Sequence, residues 1–230
     1  MATVQTIIGG TSGVPSLTVT EYATLMGDGN VGWASLVAYR ESLISTAGKL
    51  SNFKVGVAVA PGAGKSWTFT VRLNGAATAL SVAISDTAVL SSLDIDEVVV
   101  AAGNRVEVEA VPSGTPTTPG AVYWRADFIP DTAGETILLS NAAGTVSANE
   151  FITLIGKKPP DVTEFDAQTL FPTAGTLKKF YVELMTAPGA GNSRTFTIRL
   201  NGTGQSLAVT ISGTATTGND TANTVTIAAG

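Results

Sequence analysis

The chain has 230 residues, 44% of them apolar and only 13% charged, with a net charge of −5, no His and no Cys. It is long enough to bury a real core, but it lacks the clustered cations of a nucleic-acid-binding protein. It also lacks the thiols for disulfides, the usual ligands of a zinc site and the parts of a Ser-His-Asp or Cys-His catalytic centre.

The first ten residues, MATVQTIIGG, carry no basic segment followed by a long apolar run, so they do not read as a signal peptide as they stand. No stretch approaches the roughly 18 apolar residues of a membrane span. The segments SLTVTEYATLM (16–26) and WASLVAY (33–39) are expected as strands with weak alternation, and residues 38–46 as one helical turn at most. FKVGVAV (53–59) and WTFTVRL (67–73) alternate with period two, which places Phe69, Val71 and Leu73 on one face and Thr68, Thr70 and Arg72 on the other. Asn74-Gly75 is a favoured hairpin turn, because both residues accept positive φ. ALSVAIS (79–85), EVVVA (97–101), RVEVEAV (105–111) and AVYWRADFI (121–129) complete the series. Eight or nine strands in about 130 residues, with no amphipathic helix, predict an all-β antiparallel sandwich. A jelly-roll-like topology is preferred, with an immunoglobulin-like sandwich as the alternative.

The chain then repeats itself. APGAGKSWTFTVRLNG (60–75) meets APGAGNSRTFTIRLNG (187–202), with thirteen of sixteen positions identical at an offset of 127. At the same offset ALSVAIS meets SLAVTIS (206–212), and Ala101-Ala102-Gly103 meets Ala228-Ala229-Gly230. EYATLMG (21–27) meets EFITLIG (150–156) at 129. A period this long is a whole domain. The expectation is two tandem sandwich domains, 1–131 and 132–230. The second repeat stops at Gly230, where counterparts of RVEVEAV and AVYWRADFI should begin, so it is expected to lack its last two strands. Further chain, a strand donated by another polypeptide, or a smaller sandwich closed on itself using segment 132–150 are the three ways to complete it.

Few motifs carry chemistry. Gly62-Ala63-Gly64-Lys65-Ser66 resembles the end of a phosphate-binding loop, but position 59 is Val, a strand follows, and the second copy has Asn192 in place of Lys65. It reads as a glycine-rich turn. Asp94, Asp96 and Glu97 could ligate Ca²⁺, yet the offset places Thr221, Asn223 and Thr224 at those positions in the second copy, so a solvated strand entry is preferred. Glu107 and Glu109 alternate with Val106 and Val108 as an outward strand face should. No catalytic residue, metal ligand or cofactor-binding residue is expected. Trp67 is replaced by Arg194 in the second copy, which suggests a position at the sandwich rim; Trp33 and Tyr39 fall where the repeats diverge most. Trp33, Tyr39 and Trp67 are therefore the candidate surface-contact residues, for a subunit interface or a glycan, with ordinary packing as the alternative.

PGAGKSWTFTVRLNG, SGTATTGNDTANTVTIAAG and the SGTP…YWRADF ending together resemble a β-sandwich repeat of tailed-bacteriophage structural proteins. The resemblance covers most of each repeat. It implies a non-enzymatic virion protein, capsid-decorating, spike or fibre-like, assembled in the host cytoplasm with copies of itself, a trimer favoured, and with other virion proteins. The alternative is a carbohydrate-binding module of a bacterial surface protein, extracellular or at the cell surface, with a cell-surface glycan as partner. Neither nucleic acid nor membrane is expected as a partner.

Overall fold

The computed structural model describes residues 4–29, 32–142, 144–146 and 149–230. It contains two compact units, Met1–Val162 and Thr163–Gly230.

The first unit is a two-sheet sandwich. Its strands are β1 (Gln5–Thr11), β2 (Glu21–Ala23), β3 (Gly27–Gly29), β4 (Ser42–Leu43), β5 (Gly48–Val57), β6 (Gly62–Leu73), β7 (Ala76–Asp86), β8 (Val98–Val100), β9 (Arg105–Ser113), β10 (Val122–Pro130), β11 (Ser140–Ala142) and β12 (Gly156–Lys158). One sheet has the order β3-β1-β10-β5-β8, the other β2-β9-β6-β7, and β4 also pairs with β9. Period-two alternation sends Phe69 and Val71 of β6, Leu80, Val82 and Ile84 of β7, Val106 and Val108 of β9, and Trp124 and Phe128 of β10 into one core. Strands β9 and β10 are interior to their sheets. β9 pairs with β6 from Ser66↔Ser113 to Leu73↔Val106, and β10 lies between β1 and β5.

Four local expectations differ from the structure. Of SLTVTEYATLM (16–26), Glu21–Ala23 alone is a strand. WASLVAY is not a strand: Ala34 makes one bridge to Tyr22, and Val37–Tyr39 form a 3-10 turn. Its apolar residues do not alternate, and Leu36 and Tyr39 remain exposed. Conversely, QTIIGGT forms β1 although glycines interrupt its pattern. Gly9 is there for space, because a Cβ at that position would fall inside the Trp124 indole. The segment after β10 belongs with the first unit. Ile137 and Leu139 are buried in its core. Gln5 holds Ile137 by donating to its carbonyl (2.8 Å) and accepting from its amide (2.7 Å). The boundary between compact units therefore lies after Val162, whereas the repeat boundary in the sequence lies at 131/132.

The second unit contains a short helix, α1 (Glu164–Ala167), and strands β13 (Gly175–Glu183), β14 (Gly189–Leu200), β15 (Thr203–Gly213) and β16 (Thr217–Ile227). β13 pairs with β16 and β14 with β15. The limits of β14 and β15 are those of β6 and β7 displaced by 127, and so are the ladder partners: Phe69↔Val82 becomes Phe196↔Val209. Gly48↔Val100 likewise becomes Gly175↔Ile227. Even the left-handed residues repeat. Asn52 and Lys179, both at φ 56°, occupy the bulges of β5 and β13, and Asn74 and Asn201 open the hairpins at φ 53° and 49°. The two copies are one backbone template.

Among the described residues, the second unit has no counterpart of β9 or β10. The consequence is visible in burial. Phe69 is fully buried, with 0% exposure, whereas Phe196 is half-buried. Leu50, Phe53 and Val55 of β5 are buried, while Leu177, Phe180 and Val182 of β13 are half-buried. Replacing Phe69 by Ala should therefore cost the first unit about 3–5 kcal/mol, and Phe196→Ala should cost the second roughly half as much. Denaturant unfolding followed for each unit by hydrogen exchange checks this; equal losses would contradict the burial difference.

Candidate interaction surface

The chemistry-bearing side chains fall into four groups. The first is the glycine-rich turn. Gly62 and Gly64 take φ 98° and 72°, and β6 shifts register against β7 between Gly62 and Ser66. The Gly64 amide donates to Asp86 Oδ1 at 2.7 Å. A backbone donor that a phosphate would need is already occupied, and β6 continues as a strand through Leu73.

The second is the acidic loop. Asp94 accepts from the amides of Ser81 (2.7 Å) and Asp96 (3.0 Å), tying the loop to β7. The offset of 127 pointed to Thr221 as its counterpart, but the structure places Asp220 there, one residue earlier. Asp220 pairs with Phe180 as Asp94 bridges Phe53. It accepts from the amide of Ala208, which stands at the position of Ser81, and from that of Ala222. The Asn223 amide and side chain also donate to it. These donors, the Asn223 amide foremost, hold the Asp220 carboxyl down at about 2. The carboxylate is thus common to both copies as a clamp for backbone amides. Glu97 pairs with Lys49 at 2.6 Å. Among the described residues, no group of three or more acidic side chains is arranged to hold a metal ion.

The third is a charged row on the outer face of the β2-β9-β6-β7 sheet. Arg72 lies opposite Glu107 on β9. Its Nη1 donates to Glu109 at 2.7 Å, its Nη2 donates to the Gly75 carbonyl, and its guanidinium sits 5.5 Å from the centre of the Tyr22 ring. Glu107 faces outward as expected, but its side chain is fully buried. Among the described residues its carboxylate accepts no hydrogen bond and has only the Arg72 Nε at 3.4 Å. Burial, reinforced by Glu41 and Glu109 and opposed by Arg72, raises its pKa to about 7. In the second unit Arg199 keeps the bond to its own turn, donating to the Gly202 carbonyl. It takes its carboxylate from α1 instead, at 2.8 and 3.1 Å from Glu164.

The fourth group is aromatic. Trp67 is a core residue, not a surface contact: it is fully buried and stacks near Phe69, with ring centres 6.3 Å apart. The Arg at its counterpart had suggested a rim. The difference arises because β9 flanks β6 in the first unit, with Pro112 opposite Trp67, and among the described residues no strand flanks β14 in that way. Trp33 is half-buried and packs on the core through Phe69 and Trp124, with centres 6.1 and 5.9 Å away. Tyr39 is exposed at the 3-10 turn. The aromatic that the sequence reading passed over is Tyr123. It projects from the outer face of β10, half exposed, between Gly10 of β1 and Gly56 of β5. A Cβ on Gly56 would collide with its ring, so the phenol lies flat on a glycine shelf. Ile8, Arg125 and Lys54 occupy the adjoining row of the same face. The alternation of AVYWRADFI, with Trp124 inward, already placed Tyr123 outward.

Glu107 gives this surface a pH signature. Its folded pKa lies above the ordinary carboxyl value near 4.3, so the folded state binds the extra proton. Stability is therefore retained below about 4.3 and falls as pH rises toward about 7. Glu107→Gln keeps the shape and removes the titration. The variant should gain on the parent protein as pH rises from 4 to 8, by at most roughly 3 kcal/mol. Melting curves across that range read the effect, and a gap that stays constant with pH would contradict it.

No protein-family model matches the chain, and no curated protein matches it significantly.

Proposed function

We propose that this chain is a non-enzymatic structural protein of a bacteriophage virion, decorating the capsid or forming part of a fibre, in association with copies of itself. The observation that carries this reading is the duplicated backbone template, repeated down to its hairpin and bulge residues. Its ionisable groups serve that template. Asp94 ties a loop to β7, Asp220 ties β16 to β15, and Arg72 and Arg199 anchor hairpins. A scaffold that spends its charges on rigidity suits particle assembly, and the resemblance of the repeat to tailed-phage structural proteins points the same way.

One observation favours a second reading, a glycan-binding module: the flat, half-exposed Tyr123 ring on its glycine shelf offers a stacking platform. Light scattering and a glycan array on the purified protein separate the two. The virion reading expects a concentration-independent mass three times the 23.3 kDa chain and no selective glycan. A monomer at high concentration that binds one glycan class, with binding abolished by Tyr123→Ala, would replace it with the second.

A further inference from the structure

Strand β10 runs through the middle of the β3-β1-β10-β5-β8 sheet, and three rows of residues cross the sheet's outer face there. In the first row Tyr123 stands between Gly10 and Gly56, and Leu90 bridges Gly56 on its far side. The Tyr123 ring lies against Gly56, where a Cβ would fall 2.3 Å from one of its carbons. Tyr123 and Leu90 remain 52% and 49% exposed, so this row is an apolar step open to solvent. In the second row Ile8, Arg125 and Lys54 are register partners across β1, β10 and β5. In the third, Asp127 is buried and accepts from Thr6 Oγ1 (3.0 Å) and Asn52 Nδ2 (2.9 Å).

The second row sets two cations directly opposite each other on neighbouring strands. Like charges so placed repel and cost the sheet stability. Lys49, Arg72, Lys158 and Arg199 each hold a carboxylate. Among the described residues, neither Arg125 nor Lys54 has an ion pair or a side-chain hydrogen bond. The acid in the adjoining row, Asp127, is already engaged by Thr6 and Asn52. An anion from outside the sheet relieves this repulsion, and a carboxylate can take two hydrogen bonds from a guanidinium. The pair is local: the chain as a whole carries a net charge of −5.

The neighbouring step selects the kind of anion. Arg125 lies two residues along β10 from Tyr123, about 7 Å. A sugar ring stacked on the exposed face of the phenol would carry a carboxyl group at its edge toward the second row. We infer that this face binds a uronic-acid polysaccharide, with a sugar ring on Tyr123 and its carboxylate on Arg125 and Lys54. The inference rests on the glycan-binding reading above and names the class of glycan.

Oligomers of galacturonic, glucuronic and mannuronic acid, their neutral hexose counterparts and dextran sulfate are the probes, titrated calorimetrically into the 230-residue chain. At least one uronic-acid oligomer should bind roughly tenfold or more tightly than its neutral counterpart, and added salt should weaken it. Tyr123→Ala should weaken that binding by roughly tenfold or more, and Tyr123→Phe should retain it. Arg125→Glu, which converts the like-charged pair into an ion pair with Lys54, should abolish binding without lowering the melting temperature. Neutral oligomers bound as tightly, with loss in Tyr123→Ala, would overturn the acidic class and leave the glycan reading standing. No binding by any acidic or neutral oligomer would overturn both. Binding of dextran sulfate and uronic acids alike, unchanged in Tyr123→Ala, would reduce the site to plain charge attraction and overturn the inference.

Discussion

The constraint on which this molecule depends is the pairing of strand edges. A β-strand presents a full row of amides and carbonyls on each side, and a sandwich buries its apolar face only when neighbouring strands extend the sheet over it. In the first unit β9 and β10 meet that need for both sheets at once. They are hydrogen-bonded on both sides, and their inward residues fill the middle of the core. Trp67, Phe69 and Val71 reach 0% exposure because β9 lies beside them. The same template in the second unit buries Ile198, Leu207, Val209 and Ile211 but leaves Phe196 half covered. One sequence pattern thus gives two degrees of burial, set by neighbours and not by the strand itself.

Charge follows the same logic. The hairpin arginine is part of the template, since both Arg72 and Arg199 bond to the carbonyl of their own turn glycine. The carboxylate that neutralises it is not: Glu107 and Glu109 come from the flanking strand in one copy, and Glu164 from a helical turn in the other. Glu107 is buried on the outer face of β9 and remains without a hydrogen-bond donor among the described residues, so burial raises its pKa. Asp220 shows the opposite case, its carboxyl held low by the amides of Asn223, Ala208 and Ala222. Backbone amides donate to Asp94 and to Asp220, and the clamp appears in both copies because it needs only strands that both copies possess.

Much of this was legible in the sequence. The all-β class, the strand runs from β5 to β10, the Asn-Gly hairpins and the repeat are properties of local alternation and turn chemistry, which sequence records directly. Other features depend on contacts distant in the chain. β1 was hidden by Gly9 and Gly10, and the need for Gly9 becomes apparent only against Trp124. Trp67 looked like a rim residue because its counterpart is Arg194, and the flanking strand that distinguishes the two sites lies some forty residues away from it. Asp220 was missed as the counterpart of Asp94 because the offset of 127 breaks by one residue between the loop that holds Asp94 and strand β16, which holds Asp220. Tyr123 was visible in the alternation, but the seat of its exposed ring depends on Gly56 of a neighbouring strand.

Native-state hydrogen exchange on the 230-residue chain tests the edge-pairing account most directly, because β6 and β14 share a ladder register and differ in flanking strands. The account predicts that amides along β6 exchange only through global opening of the first unit. In β14, amides facing β15 should be protected and the alternate ones, on the open side, should exchange orders of magnitude faster. Uniform protection along β14, equal to that along β6, would contradict it.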